Sequence, residues 1–397
     1  ATVLALPACG GSSAPASSPR APPLAADCSR GSTACPLITI AGDAAASTAT
    51  FTGFADPALK ADPAVPNRLW MAYSRLAGKP ATGAGGGAVG VPVASTHLAR
   101  SDDGGASWRF ETKLWDSALV ADPENLSPAS YFGSETPSLA FRQAAGQTTW
   151  YSVRLAYFLE PVTAYAPRYA SGWTLRVAAA TAASPAGLAG AAESVLGSAT
   201  TSAAYGVNLR LNSLSPALSG CALWNNPAVA WHADRLHLVT ECSEFDGSTV
   251  SAARSRIVVF STDAAGAPAG WSWRYAGVLA DFATAQALGG QRLVSADIST
   301  ARDGKLLLTA AVHGGSTGDI GLGCRVLELA ALDPPVLARD TSGQAIVRAA
   351  QTAAADATWH TGACSHDSAS ATGLISVVAN RAGGGLQAEL RATGLRP

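Results

Sequence analysis

Short apolar runs rich in β-branched and aromatic residues recur along the whole chain, and Gly, Pro, Asp or Ser separates each run from the next. Three examples are residues 68–74, 148–158 and 257–261. Stretches with the 3.6-residue spacing of an amphipathic helix are nearly absent. Short strands punctuated by turn residues are typical of sheets, so the sequence predicts an all-β protein.

A repeat precedes several of these runs. Its copies are Asp56-Pro57, Thr136-Pro137, Asn226-Pro227 and, more loosely, Ser295-Ala296-Asp297. Copies spaced about 70 to 90 residues apart suit four-stranded blades around an axis, because radial stacking buries both faces of each sheet. We therefore expect a β-propeller of four-stranded antiparallel blades, five in number, or six if residues 180–211 contain another.

Closure of the ring and domain size follow from the same pattern. Residues 36–40 form an early strand, which we expect to pair with the last strand, 386–391, because this pairing removes the open edges of the ring. Propellers of this length form one unit, so the propeller domain is predicted to span residues 36–397.

Composition limits the partners. Acidic and basic groups nearly cancel at a formal net charge of -1, and the sequence contains no run of Lys and Arg. A surface of this kind does not attract a phosphate backbone, so nucleic acid is not an expected partner.

The first eight residues, ATVLALPA, are apolar and end on small residues before Cys9. They are too few to span a bilayer and are typical of the end of a signal peptide. The order Leu6-Pro7-Ala8-Cys9 resembles the bacterial lipobox, which implies cleavage before Cys9 and a diacylated thiol. Residues 9–35, rich in Ser, Pro and Ala, are then a predicted tether, and the protein is expected outside the cytoplasm, on the outer membrane or cell surface. The alternative is an ordinary secretory signal with an incidental cysteine.

The seven cysteines leave an even number once Cys9 is set aside. Six cysteines allow fifteen pairings, but an exported chain favours disulfides over free thiols. Closeness in sequence favours Cys28 with Cys35 and Cys221 with Cys242, which leaves Cys324 with Cys364. A weaker alternative is a metal site within residues 359–367, where His, Cys and Asp lie together. We expect no metal site and no cofactor, while a structural calcium held by loop carboxylates stays open.

Two turns carry a similar motif of a hydroxyl, a carboxylate, a glycine and an indole. The first copy is Ser101, Asp103, Gly105 and Trp108, and the second is Ser261, Asp263, Gly270 and Trp273 with residues 265–269 inserted. An Asp side chain accepts hydrogen bonds from turn amides, glycine adopts conformations closed to other residues, and the indole packs under the hairpin. The motif therefore stabilises a turn.

These turns resemble the Asp boxes, or BNR repeats, of bacterial sialidases and related propellers. There the boxes join the outer two strands of a blade, away from the central site. The resemblance extends over roughly residues 36–397 at the level of repeat architecture and implies a sialidase-like propeller. Glycan hydrolases, sorting receptors and assembly factors share such propellers, so the fold alone does not define the activity.

The resemblance implies a testable site, because a sialidase uses three arginines, a Tyr/Glu pair and an acidic residue. The N-terminal arginine motif of sialidases is absent, and Phe141-Arg142 comes nearest. The remaining candidates are Arg142, Arg210 and Arg292 for the clamp, Glu241 or Glu244 beside a tyrosine, and Asp56 or Asp297 as the acid. Each is also explained as a surface residue or turn former. Aromatic and amide groups in the loop 160–172 and at Trp224 suit stacking on sugars or a protein interface.

Two functions follow from these observations. The first is a non-catalytic, surface-anchored binding or accessory module for a glycan or an envelope protein, which rests on the anchor and the missing arginine motif. The alternative is an exo-acting glycoside hydrolase of sialidase type, which rests on the Asp boxes. The centre of the ring separates them, since the hydrolase needs convergent arginines facing a Tyr/Glu pair.

Overall fold

A computed structural model describes residues 23–28, 32–44, 51–82, 86–124, 129–160, 166–167, 171–247, 249–314, 320–352, 358–380 and 385–397. Its strands are β1 (Leu24–Asp27), β2 (Ile40–Ala41), β3 (Phe51–Ala61), β4 (Leu69–Thr82), β5 (Ala88–Ser101), β6 (Trp108–Trp115), β7 (Ala118–Val120), β8 (Ser130–Ala144), β9 (Gln147–Glu160), β10 (Ala166–Pro167), β11 (Trp173–Thr181), β12 (Glu193–Gly197), β13 (Leu209–Arg210), β14 (Leu223–His232), β15 (Arg235–Ser243), β16 (Phe245–Asp246), β17 (Thr249–Val250), β18 (Arg256–Thr262), β19 (Arg274–Ala280), β20 (Arg292–Thr300), β21 (Leu306–Gly314), β22 (Ile320–Leu332), β23 (Pro335–Leu337), β24 (Val347–Thr352), β25 (Trp359–Ser365), β26 (Ile375–Asn380) and β27 (Leu386–Ala392). One α-helix, α1 (Phe282–Ala287), and short 3-10 turns complete the described secondary structure.

The strands form antiparallel meanders, which confirms the all-β prediction. The sheets have the orders β2-β6-β5-β4-β3-β27-β26-β25, β13-β12-β11-β9-β8-β7, β14-β15-β18-β19 and β1-β24-β22-β21-β20, with a small β16-β17 ribbon. Residues 180–211 add β12 and β13 to the second of these sheets. They form no separate sheet among the described residues.

The sequence repeat marks a β-bulge in the first strand of each meander. Pairing slips between Ala55 and Ala58 in β3, and the equivalent slip occurs in β8, β14, β20 and β25. Asp56, Thr136, Asn226 and Ser295 adopt positive φ angles of 49°, 47°, 45° and 53°. The extra residue of a bulge bends its strand, so each copy sets the same bend at the same place. The fifth copy, Gly362-Ala363-Cys364, was missed because it lacks the proline.

The five bulges converge on one small cavity, which gives the radial arrangement of a β-propeller. Residues of all five first strands line it, and its volume is about 20 Å³. That is room for about one water molecule, so the first strands pack closely at the axis. The hydrophobic core lies between neighbouring sheets, where Trp70, Trp150 and Trp224 are almost fully buried.

The predicted pairing of residues 36–40 with the last strand is confirmed for residues 36–38, whereas Ile40 pairs with Trp108 of β6. Leu37 bridges Arg391, and the Ile38 amide donates to the Leu390 carbonyl at 2.9 Å. On the same edge of β27, the one that faces away from β26, Ala388 pairs in parallel with Gly53 of β3. The first and last meanders are therefore joined in one continuous sheet.

A short strand that precedes residue 36, the predicted start of the propeller domain, also belongs to a sheet. Leu24–Asp27 pairs in parallel with residues 349–352, because its backbone satisfies the exposed edge of β24. Cys9 and the predicted signal segment lie outside the described residues. Among the described residues, no helix is long and apolar enough to cross a bilayer.

The three predicted disulfides are confirmed. Cys28 bonds to Cys35, Cys221 to Cys242 and Cys324 to Cys364, with Cα–Cα distances of 5.3, 5.2 and 6.4 Å. The disulfide removes Cys364 from the alternative metal cluster. Within the described part of the chain, no group of three or more His, Cys, Asp or Glu side chains is arranged to hold a metal ion.

The turn between β5 and β6 is held by the side chains of the first motif. The Ser101 hydroxyl accepts a hydrogen bond from the Gly105 amide at 2.7 Å. The Asp103 carboxylate accepts one from the Ser107 amide at 2.9 Å and another from the Ser107 hydroxyl at 2.6 Å. The Ser107 hydrogen bonds lower the pKa of Asp103 to about 2. The buried Trp108 indole donates to the Gly105 carbonyl at 3.1 Å. All these contacts are internal to the turn.

The second motif has different contacts. Ser261 donates to Asp333 at 3.1 Å, and Asp263 accepts from the Ala265 amide at 3.3 Å. The 3-10 turn Pro268–Gly270 brings Trp271 under the hairpin, where its indole donates to the Gly266 carbonyl at 3.0 Å. The indole that bonds to this turn is thus Trp271 and not the predicted Trp273, because the inserted residues shift the register.

Candidate active site

The bulges divide the centre of the molecule into two ends. We call the end formed by first-strand residues before the bulges the upstream end, and the end formed by residues after them the downstream end. Residues on the downstream side of all five bulges line a common cavity of about 460 Å³. The upstream end carries a cluster of carboxyl, phenol, amide and guanidinium groups.

Two carboxyl groups from neighbouring first strands meet at the upstream end. Asp56 lies on the bulge of β3 and Glu135 directly before the bulge of β8, and both are partly exposed. Burial raises the pKa of Asp56, and the nearby Ser74 hydroxyl and Thr136 amide, which are hydrogen-bonded to each other at 2.9 Å, partly oppose this shift. Burial, together with the negative charge of Asp56, raises the pKa of Glu135 to about 8. Burial and the charge of Asp56 therefore favour the protonated form of Glu135 at neutral pH.

A tyrosine accompanies this pair. The Tyr157 hydroxyl lies 3.4 Å from Glu135 Oε2. Its ring stacks on Trp173 with centroids 5.3 Å apart. Gly133 leaves room for the ring, since an added Cβ would lie 2.4 Å from the phenol carbon that bears the hydroxyl. Burial, and then the charge of Glu135, raise the pKa of Tyr157 well above its ordinary value. Tyr157 is therefore a neutral donor toward Glu135.

The opposite side of the upstream end is an ion pair extended by polar contacts. Arg292 Nε lies 3.1 Å from Glu241 Oε1. Asn226 donates to Glu241 Oε2 at 3.2 Å, and Ser295 donates to Asn226 Oδ1 at 3.4 Å. Asn226 and Ser295 are both bulge residues and are partly exposed. This side offers amide and hydroxyl groups to a ligand.

The structure brings together three of the candidate residues and separates the others. Asp56, Glu241 and Arg292 lie at the upstream end. Arg142 lies at the downstream cavity, and Arg210, in β13 at the edge of the second sheet, donates to the Thr201 carbonyl at 2.9 Å. The predicted clamp of these three arginines is therefore absent, because only Arg292 reaches the site.

The remaining candidates have structural contacts. Glu244 pairs with Arg256 at 2.8 Å. Asp297 accepts from Ser365 and lies 3.9 Å from Lys60 Nζ. Trp224 is buried with 2% exposure, so it belongs to the core. Most of the loop 160–172 lies outside the described residues.

Sequence reasoning missed Glu135 and Tyr157. Glu135 directly precedes the Thr136-Pro137 copy of the repeat, as Asn225 precedes Asn226-Pro227. The position before a repeat copy was the available signal. Tyr157 carries no such signal, because only the pairing of β8 with β9 places it next to Gly133.

Comparisons with known proteins identify no family. No protein-family model matches the chain, and no curated protein matches it. Among solved structures, it is similar to Zg3597, a family 117 glycoside hydrolase of Zobellia galactanivorans, with 11% identity, a TM-score of 0.49 and coverage of 90% of this chain and 89% of that one. It is also similar to arabinanase Arb43A of Bacillus subtilis, with 11% identity, a TM-score of 0.41 and coverage of 88% of this chain and 95% of that one. The Hadza microbial sialidase Hz136 has 10% identity, a TM-score of 0.41 and coverage of 82% and 63%. These values are too low to assign an activity.

Proposed function

We propose that this protein is a glycoside hydrolase whose acid and base are Glu135 and Asp56. The observation that carries the proposal is the pair of carboxyl groups that neighbouring first strands hold at the upstream end, with Glu135 kept protonated at neutral pH. Glycosidic bond cleavage uses two such groups, one to protonate the leaving oxygen and one to act as base or nucleophile. This chemistry needs no cofactor.

The surrounding groups support these roles. Tyr157 donates toward Glu135, while Asn226 and Ser295 present an amide and a hydroxyl to sugar hydroxyls. A sialidase-type mechanism is less well supported, because Arg292 is already paired with Glu241 and neither Arg142 nor Arg210 is near. The proposed substrate class is therefore a glycoside that requires no arginine clamp on a carboxylate.

The test is hydrolysis of a panel of fluorogenic glycosides, sialosides included, by the purified full chain. Asp56→Asn is expected to lower kcat/KM by about 100-fold or more, because it removes the carboxyl group proposed as the base. Asp303→Asn is the matched control, since Asp303 is an exposed turn residue that pairs with Arg348. If no glycoside is hydrolysed by correctly folded protein, the non-catalytic binding function replaces this proposal.

The architecture proposed for the whole domain is a propeller of five four-stranded blades. The blades are β3-β4-β5-β6, β8-β9-β11-β12, β14-β15-β18-β19, β20-β21-β22-β24 and β25-β26-β27, the last completed by residues 36–38. The convergence of five bulges at one axis supports this count. The turns at Ser101 and Ser261 then join the outer strands of the first and third blades, as Asp boxes do.

The proposed location is outside the cytoplasm, with the protein anchored through a lipid on Cys9. Three disulfides support export, since such bonds persist in oxidising compartments. In cells fed an alkyne-labelled fatty acid, the full-length precursor is expected to incorporate label, and Cys9→Ser is expected to lose it. Equal labelling of both forms would contradict the anchor, and an unlabelled but secreted protein would indicate an ordinary signal peptide.

A further inference from the structure

The downstream cavity is separate from the proposed acid and base. It has a volume of about 460 Å³, within the range of small-ligand sites. Its wall combines aromatic rings, hydroxyl groups and charged groups, including Phe141, Trp231, Ser299, Thr300 and Arg142. Hydroxyl groups beside aromatic surface are suited to a sugar.

Arg142 is the group that gives this cavity a preference. The cavity also contains Lys60 and Asp367, but Lys60 donates to the Ile298 carbonyl at 2.9 Å and lies 3.9 Å from Asp297. The Asp367 carboxylate accepts the Ala61 and Ala369 amides, both at 2.9 Å. Arg142 has no carboxylate partner among the residues that the structure describes. It is an exposed cation at a concave surface.

The Arg142 guanidinium is held in place by an aromatic stack. It lies over the Trp231 ring, 4.9 Å from the centroid. Trp231 in turn stacks on Tyr151, with centroids 5.5 Å apart and planes 8° apart. The guanidinium also donates a hydrogen bond toward the Tyr151 hydroxyl. A guanidinium fixed in this way can bind a planar carboxylate with its remaining N–H groups through two parallel hydrogen bonds. The loss of side-chain freedom on binding is correspondingly small.

We infer that the downstream cavity binds an acidic sugar, whose carboxylate pairs with Arg142 while its hydroxyl groups contact the polar wall. The proposal concerns a second site at the other end of the axis, so it does not depend on catalysis by Glu135. A uronic acid is the simplest ligand of this class.

The test is calorimetric titration of the full chain with glucuronate, glucose and acetate. Glucuronate is expected to bind, and glucose and acetate at least about 10-fold more weakly, because each lacks one half of the ligand. Equal binding of glucose would exclude a role for the carboxylate. Equal binding of acetate would exclude recognition of the sugar ring, and the absence of glucuronate binding would overturn the inference as a whole.

Substitutions of Arg142 test whether glucuronate binds in the downstream cavity. Arg142→Gln is expected to weaken glucuronate binding about 10-fold or more, and Arg142→Lys to an intermediate degree, since lysine keeps the charge but loses the planar fork. Arg109→Gln is the matched control, because Arg109 is an exposed arginine that pairs with Asp102 in the first sheet. Glu135→Gln is expected to leave glucuronate binding unchanged, which separates this site from the proposed hydrolase. Unchanged binding by a folded Arg142→Gln protein would place the ligand elsewhere and overturn the inference.

Discussion

Glu135→Gln is expected to lower the turnover of unactivated glycosides by about 1000-fold while the protein stays folded, because a positioned general acid contributes about 100- to 10,000-fold to such reactions. Glutamine keeps the shape of the side chain but cannot release a proton. Glycosides with strongly acidic leaving groups need little protonation and should lose much less activity. Comparing the two substrate types separates loss of the acid from a general disturbance of the site.

The pH dependence of activity should follow the protonation of Glu135 and Asp56. The reaction needs Glu135 protonated and Asp56 ionised. Since burial and the charge of Asp56 raise the pKa of Glu135 to about 8, activity should fall as the pH rises through about 8. Glu135→Gln should abolish this alkaline limb. If the fall in activity at alkaline pH persists in this variant, another titrating group causes it.

The thermal stability of Glu135→Gln is the control for its activity, because the substitution should lower activity without lowering stability. The pKa of Glu135 is raised from 4.5 to about 8 in the folded protein, so its contribution to stability is complete below about pH 4.5 and is lost as the pH rises through about 8. Glutamine has no proton to lose. Glu135→Gln should therefore unfold at pH 9 at the same temperature as the wild type or higher. Glu111→Gln, which changes an exposed partner of Arg100, should alter neither activity nor stability.

Gly53→Ala is expected to have the largest effect on stability, about 3 to 5 kcal/mol in the free energy of unfolding. Gly53 adopts a φ of 104°, which side chains rarely tolerate. An added Cβ would lie 1.9 Å from the Ala388 carbonyl oxygen, so β3 and β27 could not keep their pairing. Denaturant unfolding followed by circular dichroism measures the loss.

Gly270→Ala is the matched control for this substitution. Gly270 has no positive φ, and an added Cβ would meet no atom within 4 Å. Its unfolding free energy should stay within about 0.5 kcal/mol of the wild type. A Gly53→Ala protein as stable as Gly270→Ala would mean that the contact between β3 and β27 contributes little to the fold.

The fold could be predicted largely because its repeat is local. Proline and small polar residues at the bulges are visible in the sequence, and they give both the periodicity and the first strands. The copy at Gly362 was not visible in the sequence, because it contains no proline. Its bend also differs from the other four, since it has no residue with a positive φ. The place of Leu24–Asp27 was also beyond the sequence, since it depends on a parallel pairing with a strand more than three hundred residues later.

The site was less predictable than the fold for a similar reason. Asp56 belongs to the repeat and could be selected, whereas the role of Glu135 depends on Asp56 from another strand and on burial at the axis. Arg142 and Arg292 looked alike in sequence. They lie on opposite sides of their bulges, and this small difference in register sends them to opposite ends of the molecule.

The start of the chain has a mechanical consequence. Leu24–Asp27 pairs with β24, residues 36–38 pair with β27, and Ile40–Ala41 pairs with β6, so a short length of chain crosses three meanders in turn. A force applied at the N-terminal end would act first on β1 alone. The Cys28–Cys35 bond then limits how much chain between these segments can extend. Tension on this end would therefore be spread over several sheets before any one meander is pulled apart.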